Sequence, residues 1–352
     1  MFVKFEENSN RIFIDRFHAI VQSLFMTHEP DLFPLLVQQK RPIAKDIWLF
    51  RLAHPKGHAL PTFTAGAHVT VQTPSGQKRN YSLCNNPFEK AYCELAIKHE
   101  RQGRGGSQSM VEQVQEGDLL QVSMPKNDFG LVDHLNEVIF IAGGIGVTPL
   151  LSMLRQMHDA RSMHAHARFH FYYCARDKEG AAFVDTLEEL SQTSPLGQVS
   201  FHFDGGHPEQ GLDLWPVLEK PTAAHIYCCG PEGLMDAVRD MSGHWPQGRV
   251  HFESFGASGS QQFEPAEAFE VKLHGKQQTI AVAANESILE ALRKNGHYVP
   301  SSCESGTCGS CKVDLISGHV EHRDFVLNDE EKRHHIMVCV SRAPSGVIEI
   351  SL

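Results

Sequence analysis

Cys303-Glu304-Ser305-Gly306-Thr307-Cys308-Gly309-Ser310-Cys311, with Cys339 further on, is the stretch on which the reading of this chain turns. Three thiols spaced C-x4-C-x2-C and a distant fourth match the ligand pattern of a plant-type [2Fe–2S] cluster. The small residues Ser301, Ser302, Gly306, Gly309 and Ser310 leave the backbone free to fold round such a cluster and aim amides at its sulfurs. Zinc is the competing reading. It prefers paired C-x2-C knuckles, and only one is present. Disulfides are disfavoured by nine cysteines, an odd number, and by the want of a secretory signal. A cluster of this kind moves one electron at a time, so the remaining sequence should hold the source of electrons.

At 352 residues, two or three domains are expected. A net charge of −10 argues against nucleic acid and against an anionic membrane surface as partners. No run approaches the roughly 20 apolar residues that cross a bilayer. Glu6, Glu7, Asp15 and Arg16 interrupt any signal-peptide core, so a cytoplasmic location is expected, which suits free thiolates. Residues 1–35 stand apart as an N-terminal extension. In residues 11–26, Phe13, Phe17, Ile20, Val21, Leu24 and Phe25 fall at helical spacing, which predicts an amphipathic helix. Such a stripe reads first as packing on the same chain, with docking to another protein as the alternative.

Over residues 36–133, short alternating runs at 47–52, 68–71, 81–83, 93–97 and 119–122 predict a small antiparallel β-barrel. Two motifs inside it exceed what structure alone requires. In Arg79-Asn80-Tyr81-Ser82-Leu83, strand alternation presents Arg79, Tyr81 and Leu83 on one side and Asn80 and Ser82 on the other. In Gly103-Arg104-Gly105-Gly106-Ser107, a glycine turn opens a helix near Ser107, where bare amides beside a guanidinium make a phosphate seat. A glycine-rich turn alone is often only a turn. The pairing of the two within one barrel gives them weight.

Residues 134–255 alternate strand and helix patterns. The apolar run at 138–142 suits a strand buried on both faces of a parallel sheet. Gly143-Gly144-Ile145-Gly146-Val147-Thr148-Pro149 follows, with Thr148 as candidate N-cap and Pro149 as first helical residue. Strand, glycine turn and helix form a dinucleotide-phosphate geometry, although the string is not G-x-G-x-x-G. Further strands are predicted at 168–174, 198–204 and 224–228, and helices at 181–190 and 232–240. Cys229, before Gly230 and Pro231 at a strand end, reads as ligand-facing, with a buried small hydrophobe as the alternative. A linker is expected at 256–268. Residues 269–352 then predict a hairpin at 269–274 and 278–282, a helix at 286–295 capped by Asn285, the cluster loop, and strands at 311–316, 336–340 and 347–351. His164, His166, His170, His334 and His335 pair with no carboxylate at metal-ligand spacing and read as surface or structural.

Taken in order with Pro125-Lys126-Asn127-Asp128-Phe129 and His251-Phe252-Glu253-Ser254-Phe255, these motifs resemble the phthalate dioxygenase reductase family over about residues 36–352. These are flavin reductases that feed Rieske-type aromatic-ring oxygenases and O-demethylases. The resemblance implies an antiparallel β-barrel flavin domain, an α/β parallel-sheet NAD domain and an α+β, β-grasp plant-type ferredoxin domain. It implies that Arg79, Asn80, Tyr81, Ser82 and Leu83 meet the flavin, and that Gly103, Arg104, Gly105, Gly106 and Ser107 seat its phosphate. Gly143, Gly144, Gly146 and Thr148 would face the dinucleotide. Cys229, Gly230, Pro231, Glu253, Ser254 and Phe255 would surround the hydride-transfer site. Cys303, Cys308, Cys311 and Cys339 would ligate the cluster.

The family uses FMN, whereas the wider superfamily mostly uses FAD, which stays open. Asp177 resembles the acidic partner of an adenine ribose and favours NADH, while Arg176 beside it is the kind of residue that accepts the 2′-phosphate of NADPH. A two-electron donor and a one-electron cluster need a flavin between them. Hydride transfer needs no general acid or base, so no catalytic dyad is expected. The expected partner is a terminal oxygenase. A reductase for another monooxygenase or metalloprotein, and a redox-sensing module, are the alternatives.

Overall fold

In the computed structural model, residues 32–103, 105–255, 267–344 and 346–352 are described. The expected N-terminal helix, Arg104 and residues 256–266 of the expected linker lie outside them. Alternating apolar residues build the first sheet from β1 (Leu32–Ala44), β2 (Ile47–Ala53), β3 (His68–Gln72), β4 (Lys78–Ser82), β5 (Tyr92–Lys98) and β6 (Leu119–Ser123). The antiparallel order β4-β3-β6-β1-β2-β5 is closed on itself by a bridge between Leu83 and Leu95. Leu35, Val37, Phe50, Leu52, Val71 and Leu95 fill the interior, and α1 (Gly106–Gln113) adds Met110 and Val111 to the same core. The first strand opens at Leu32, inside the segment set aside as an extension to residue 35. Its polar middle, Gln38 to Arg41, and a register shift between Val37 and Gln39 break the alternation that a sequence reading looks for.

The second sheet is parallel throughout, with β7 (Glu137–Gly143), β8 (Arg168–Ala175), β9 (Gly197–Phe203), β10 (His225–Cys229) and β11 (Val250–Glu253) in the order β11-β10-β7-β8-β9. Its helices are α2 (Val147–His158), α3 (Val184–Thr193), α4 (Trp215–Leu218) and α5 (Glu232–Ser242). The direction of winding reverses between β7 and β10, and in open sheets the crevice at that reversal is where ligands bind. Thr148 is not the cap of α2. A 3₁₀ turn at Gly144–Gly146 runs directly into Val147, and the Thr148 hydroxyl donates to Ile145 O at 3.0 Å from within the first turn. The helix predicted at 181–190 begins later, because Phe183 adopts a left-handed φ of 63° that no helix continues through.

The third sheet holds β12 (Phe269–Leu273), β13 (Thr279–Val282), β14 (Lys312–Ser317), β15 (His335–Met337) and β16 (Val347–Ser351) in the order β13-β12-β16-β14-β15. Helix α6 (Ile288–Lys294) crosses it, burying Ile288, Leu289 and Leu292. Ser287 caps this helix in place of Asn285: its Oγ accepts Glu290 N at 3.1 Å while the Glu290 carboxylate accepts Ser287 N at 2.9 Å.

The first two sheets are joined through a buried acid. Glu94 of β5 binds Arg51 at 2.8 Å within the barrel and Arg155 of α2 at 3.5 Å, and Arg155 also donates to Cys84 O at 2.7 Å. Tight backbone packing holds the second sheet's crevice: a Cβ on Gly146 would lie 2.1 Å from Cys229 O. Gly146→Ala is therefore expected to destabilise the protein by about 2 kcal/mol or more, read as a drop of several degrees in the midpoint of thermal unfolding. An unchanged midpoint would show slack at this turn.

Candidate functional site

The two barrel motifs come together. A Cβ on Gly106 would sit 2.9 Å from Arg79 Nε and 3.0 Å from Arg79 Cγ, so the guanidinium of β4 rests against the N-terminus of α1. Gly105 there has a φ of 89°, and a side chain on it would meet nothing within 4 Å. Arg79 is oriented by Gln77, whose side-chain oxygen accepts from Nη2, and by Lys78 O at 2.9 Å. Ser107 Oγ accepts Glu100 N at 3.2 Å, tying Gly103 and its turn to the end of β5. Asn80 faces outward and pairs with Thr70 Oγ1 at 2.7 Å, while Leu83 is core. Tyr81 packs against that core; among the described residues its buried hydroxyl has no hydrogen-bond partner, and burial pushes its pKa up to about 12. A buried hydroxyl without a partner costs roughly 1–3 kcal/mol. An orphaned hydroxyl beside an open, cationic helix N-terminus fits a flavin with its phosphate.

At the reversal of the second sheet, Gly143, Gly146 and Gly230 let backbones touch. A Cβ on Gly143 would meet Pro231 Cδ at 2.5 Å, and one on Gly230 would meet Gly143 Cα at 2.9 Å. Gly144 has a φ of 53°, and a side chain on it would meet nothing within 4 Å. Cys229 differs from its ligand-facing expectation. It is fully buried among Phe140, Val147 and Tyr227, and burial raises its thiol far above the usual range, so it is a packing residue. Thr148 is likewise buried. Asp177 lies just past β8, half-buried, with Oδ1 accepting Gly180 N at 2.7 Å, and Arg176 is exposed beside it.

Glu253, at the end of β11, joins the sites. Its carboxyl is buried and accepts the Ser82 hydroxyl at 3.3 Å across 171 residues of sequence. Burial, aided by the negative charges of Cys303 and Asp128, raises its pKa to about 8. Phe255, two residues on, is 37% exposed. Asp128 accepts a hydrogen bond from Ser302, next to Cys303, and buried His68 lies within electrostatic range of both Asp128 and Cys303. Asp128 and His68 were given no role by the sequence reading. Asp128 stands within a quoted motif, and that was the available signal.

The four cluster thiols fall into two pairs, Cys303 with Cys308 and Cys311 with Cys339. In each pair one thiol donates to the other, which lowers the pKa of Cys303 and Cys311 and raises that of Cys308 and Cys339. Ser305 N points at Cys303 Sγ at 3.4 Å and Cys303 N at Cys308 Sγ at 3.5 Å. Among the described residues no three potential ligands converge on one ion. The donor set fits a two-iron cluster. Of the histidines singled out earlier, His164 is buried with Nε2 2.9 Å from Val132 O, His170 Nε2 lies 3.1 Å from Ser200 Oγ, and His166 and His334 are exposed.

Comparison with known proteins agrees with this arrangement. The oxidoreductase FAD-binding domain family matches residues 34–130, the oxidoreductase NAD-binding domain family residues 140–240, and the 2Fe-2S iron-sulfur cluster binding domain family residues 271–344. Phthalate dioxygenase reductase of Burkholderia cepacia is 48% identical over 325 residues, covering 92% of this chain and 98% of that protein. The chain belongs to the phthalate dioxygenase reductase family. The phthalate 4,5-dioxygenase oxygenase reductase subunit of Pseudomonas putida is 47% identical, covering 90% of this chain and 96% of its own length. A solved structure of phthalate dioxygenase reductase, described as a modular structure for electron transfer from pyridine nucleotides to [2Fe-2S], matches with a TM-score of 0.66 at 47% identity, covering 91% of this chain and 98% of that one. As a member of this family the chain is an NADH-dependent oxidoreductase with a flavin domain and a [2Fe–2S] domain. No helix among the described residues is long and apolar enough to cross a membrane.

The raised pKa of Glu253 has a measurable sign. Between about pH 4.5 and 8 an unfolded chain ionises this carboxyl while the folded chain keeps its proton, so the group's contribution to stability falls as pH rises through that window. Glu253→Gln is expected to flatten that part of the profile, making the variant's unfolding midpoint higher relative to wild type at pH 8 than at pH 5. Parallel profiles would show that Glu253 ionises normally.

Proposed function

We propose that this reductase holds FMN, prefers NADH, and delivers electrons to a separate terminal oxygenase that acts on an aromatic ring or an O-methyl group. The observation that carries the reading is the Ser82–Glu253 hydrogen bond. Through it the strand bearing the flavin motif and the sheet bearing the nucleotide crevice share one buried contact, and Cys303 acts on the same carboxyl. When bound, the flavin takes two electrons as hydride from the nicotinamide and releases them singly to the cluster.

The chain's own residues supply placement. Arg79, Tyr81 and Ser82 hold the flavin ring and side chain, and Gly105, Gly106 and Ser107 receive its terminal phosphate. The helix N-terminus beside the Arg79 guanidinium offers a seat for a terminal phosphate, in keeping with FMN. Gly143, Gly144, Gly146, Gly230 and Pro231 shape the crevice for the dinucleotide, with Asp177 toward the adenine ribose. Glu253, buried, holds a proton at neutral pH, and Ser254 and Phe255 continue the wall. Cys303, Cys308, Cys311 and Cys339 ligate the cluster. The acceptor class rests on the named relatives, which are reductases of phthalate oxygenases.

The test separates the two halves of the sequence of transfers. Purified protein should release FMN on heating, and NADH should bleach the flavin. Cys308→Ser should retain bleaching and lose NADH-driven reduction of cytochrome c by at least about 100-fold. Loss of bleaching in that variant would overturn the proposed order. Asp177→Ala is expected to raise the KM for NADH roughly tenfold with kcat little changed, and an unaltered KM would remove Asp177 from the ribose site.

A further inference from the structure

The cluster loop meets the flavin junction and the second sheet through side-chain contacts of its own. Phe325 supplies the apolar part of that contact. Its ring packs with the core of the second sheet, 5.2 Å from the ring of Phe252 and 5.1 Å from the Arg239 guanidinium of α5. Phe252 immediately precedes Glu253. At its other end Phe325 is bound to the cluster loop, because its backbone N–H donates to Gly306 O at 2.9 Å. The turn that presents it is rigid. The buried Asp324 carboxylate accepts Val326 N at 3.1 Å and Leu327 N at 2.7 Å, and a Cβ on Gly306 would lie 3.1 Å from Asp324 Cα. A polar contact, Ser302 to Asp128, meets the barrel on the flavin side. An exposed hydrogen bond alone contributes little, whereas an aromatic pair with a cation over one ring adds specific attraction to the burial of the ring.

We propose that Phe325 is a positioning residue: anchored in the core of the nucleotide sheet, it holds the loop of Cys303, Cys308 and Cys311 at the flavin junction and thereby sets the rate at which electrons enter the cluster. The inference rests on the order of transfer proposed above. It assigns Phe325 no contact with cofactor or substrate.

The full chain carrying Phe325→Ala, Phe325→Leu and Phe325→Tyr tests it. In Phe325→Ala, iron and sulfide content, the cluster's reduction potential and flavin bleaching by NADH should match wild type. Cytochrome c reduction should fall about tenfold or more, as misplacement of reacting groups commonly does. Small-angle scattering should show a larger radius of gyration as the third sheet undocks. Phe325→Tyr should restore most of the rate and the compact dimension. Unchanged transfer and unchanged radius in Phe325→Ala would overturn the proposal. Should that variant lose iron, Phe325→Leu decides: slowed transfer with full iron content supports the anchor, and wild-type transfer rejects it. If wild-type protein bleaches with NADH yet its own cluster stays oxidised, the order of transfer fails, and the scattering comparison still decides the docking.

Discussion

A buried carboxyl is the constraint to which the rest of this molecule is fitted. Glu253 is the last residue of β11, and its neighbours come from all three sheet-bearing parts of the chain: Ser82 from the barrel, Cys229 from the adjacent parallel strand, and Cys303 from the cluster loop at electrostatic range. Burying such a group is costly unless it keeps its proton or gains a partner. Here it does both. Strand alternation makes the rest follow, since successive side chains leave β11 on opposite faces. Phe252 and Val250 point into the apolar cluster shared with Phe325, while His251, stacked 4.4 Å from Tyr227, and Glu253 point the other way. Four residues of one short strand thus address two different neighbours.

The nucleotide crevice depends on what is missing from its side chains. Three glycines, Gly143, Gly146 and Gly230, let the ends of β7 and β10 and the start of α2 approach at distances no Cβ tolerates. This is why the string departs from G-x-G-x-x-G without losing the geometry. Within the string, Gly143 and Gly146 serve packing between strand ends and a helix, and the left-handed Gly144 is left in open space. The same economy appears at Gly106, whose bare Cα makes room for the Arg79 side chain.

Much of this was legible in the primary structure. Cysteine spacing named the cluster loop because ligand spacing is a local property, and apolar runs such as Val138 to Ala142 named buried strands because burial on both faces removes polarity. Residues were misread where a tertiary contact outweighed a local preference. Thr148 is a good cap by type, yet a 3₁₀ turn carries the chain straight into the helix. Asn285 lost the capping position to Ser287 because only Ser287 has a glutamate three residues ahead to complete the reciprocal pair. Cys229 reads as ligand-facing from its place at a strand end, but burial depends on the chain packed above it, which no window of sequence contains. The first strand was hidden by a bulge and four polar residues. Phe325 was invisible for a different reason: a single aromatic in a loop, between Asp324 and Val326, carries no periodic signal, and its partner Phe252 lies 73 positions earlier in the numbering.

The order of strands in the third sheet has its own bearing on how the metal centre is made. β16 lies at the middle, parallel to β12 on one side and antiparallel to β14 on the other, so neither neighbour has its inner edge satisfied until that segment inserts. All four cysteines precede it in the sequence. During biosynthesis the thiols therefore emerge before the scaffold that holds them apart in pairs can close. Iron and sulfide must either arrive late or be handed to a loop whose supporting sheet is still open along its central seam.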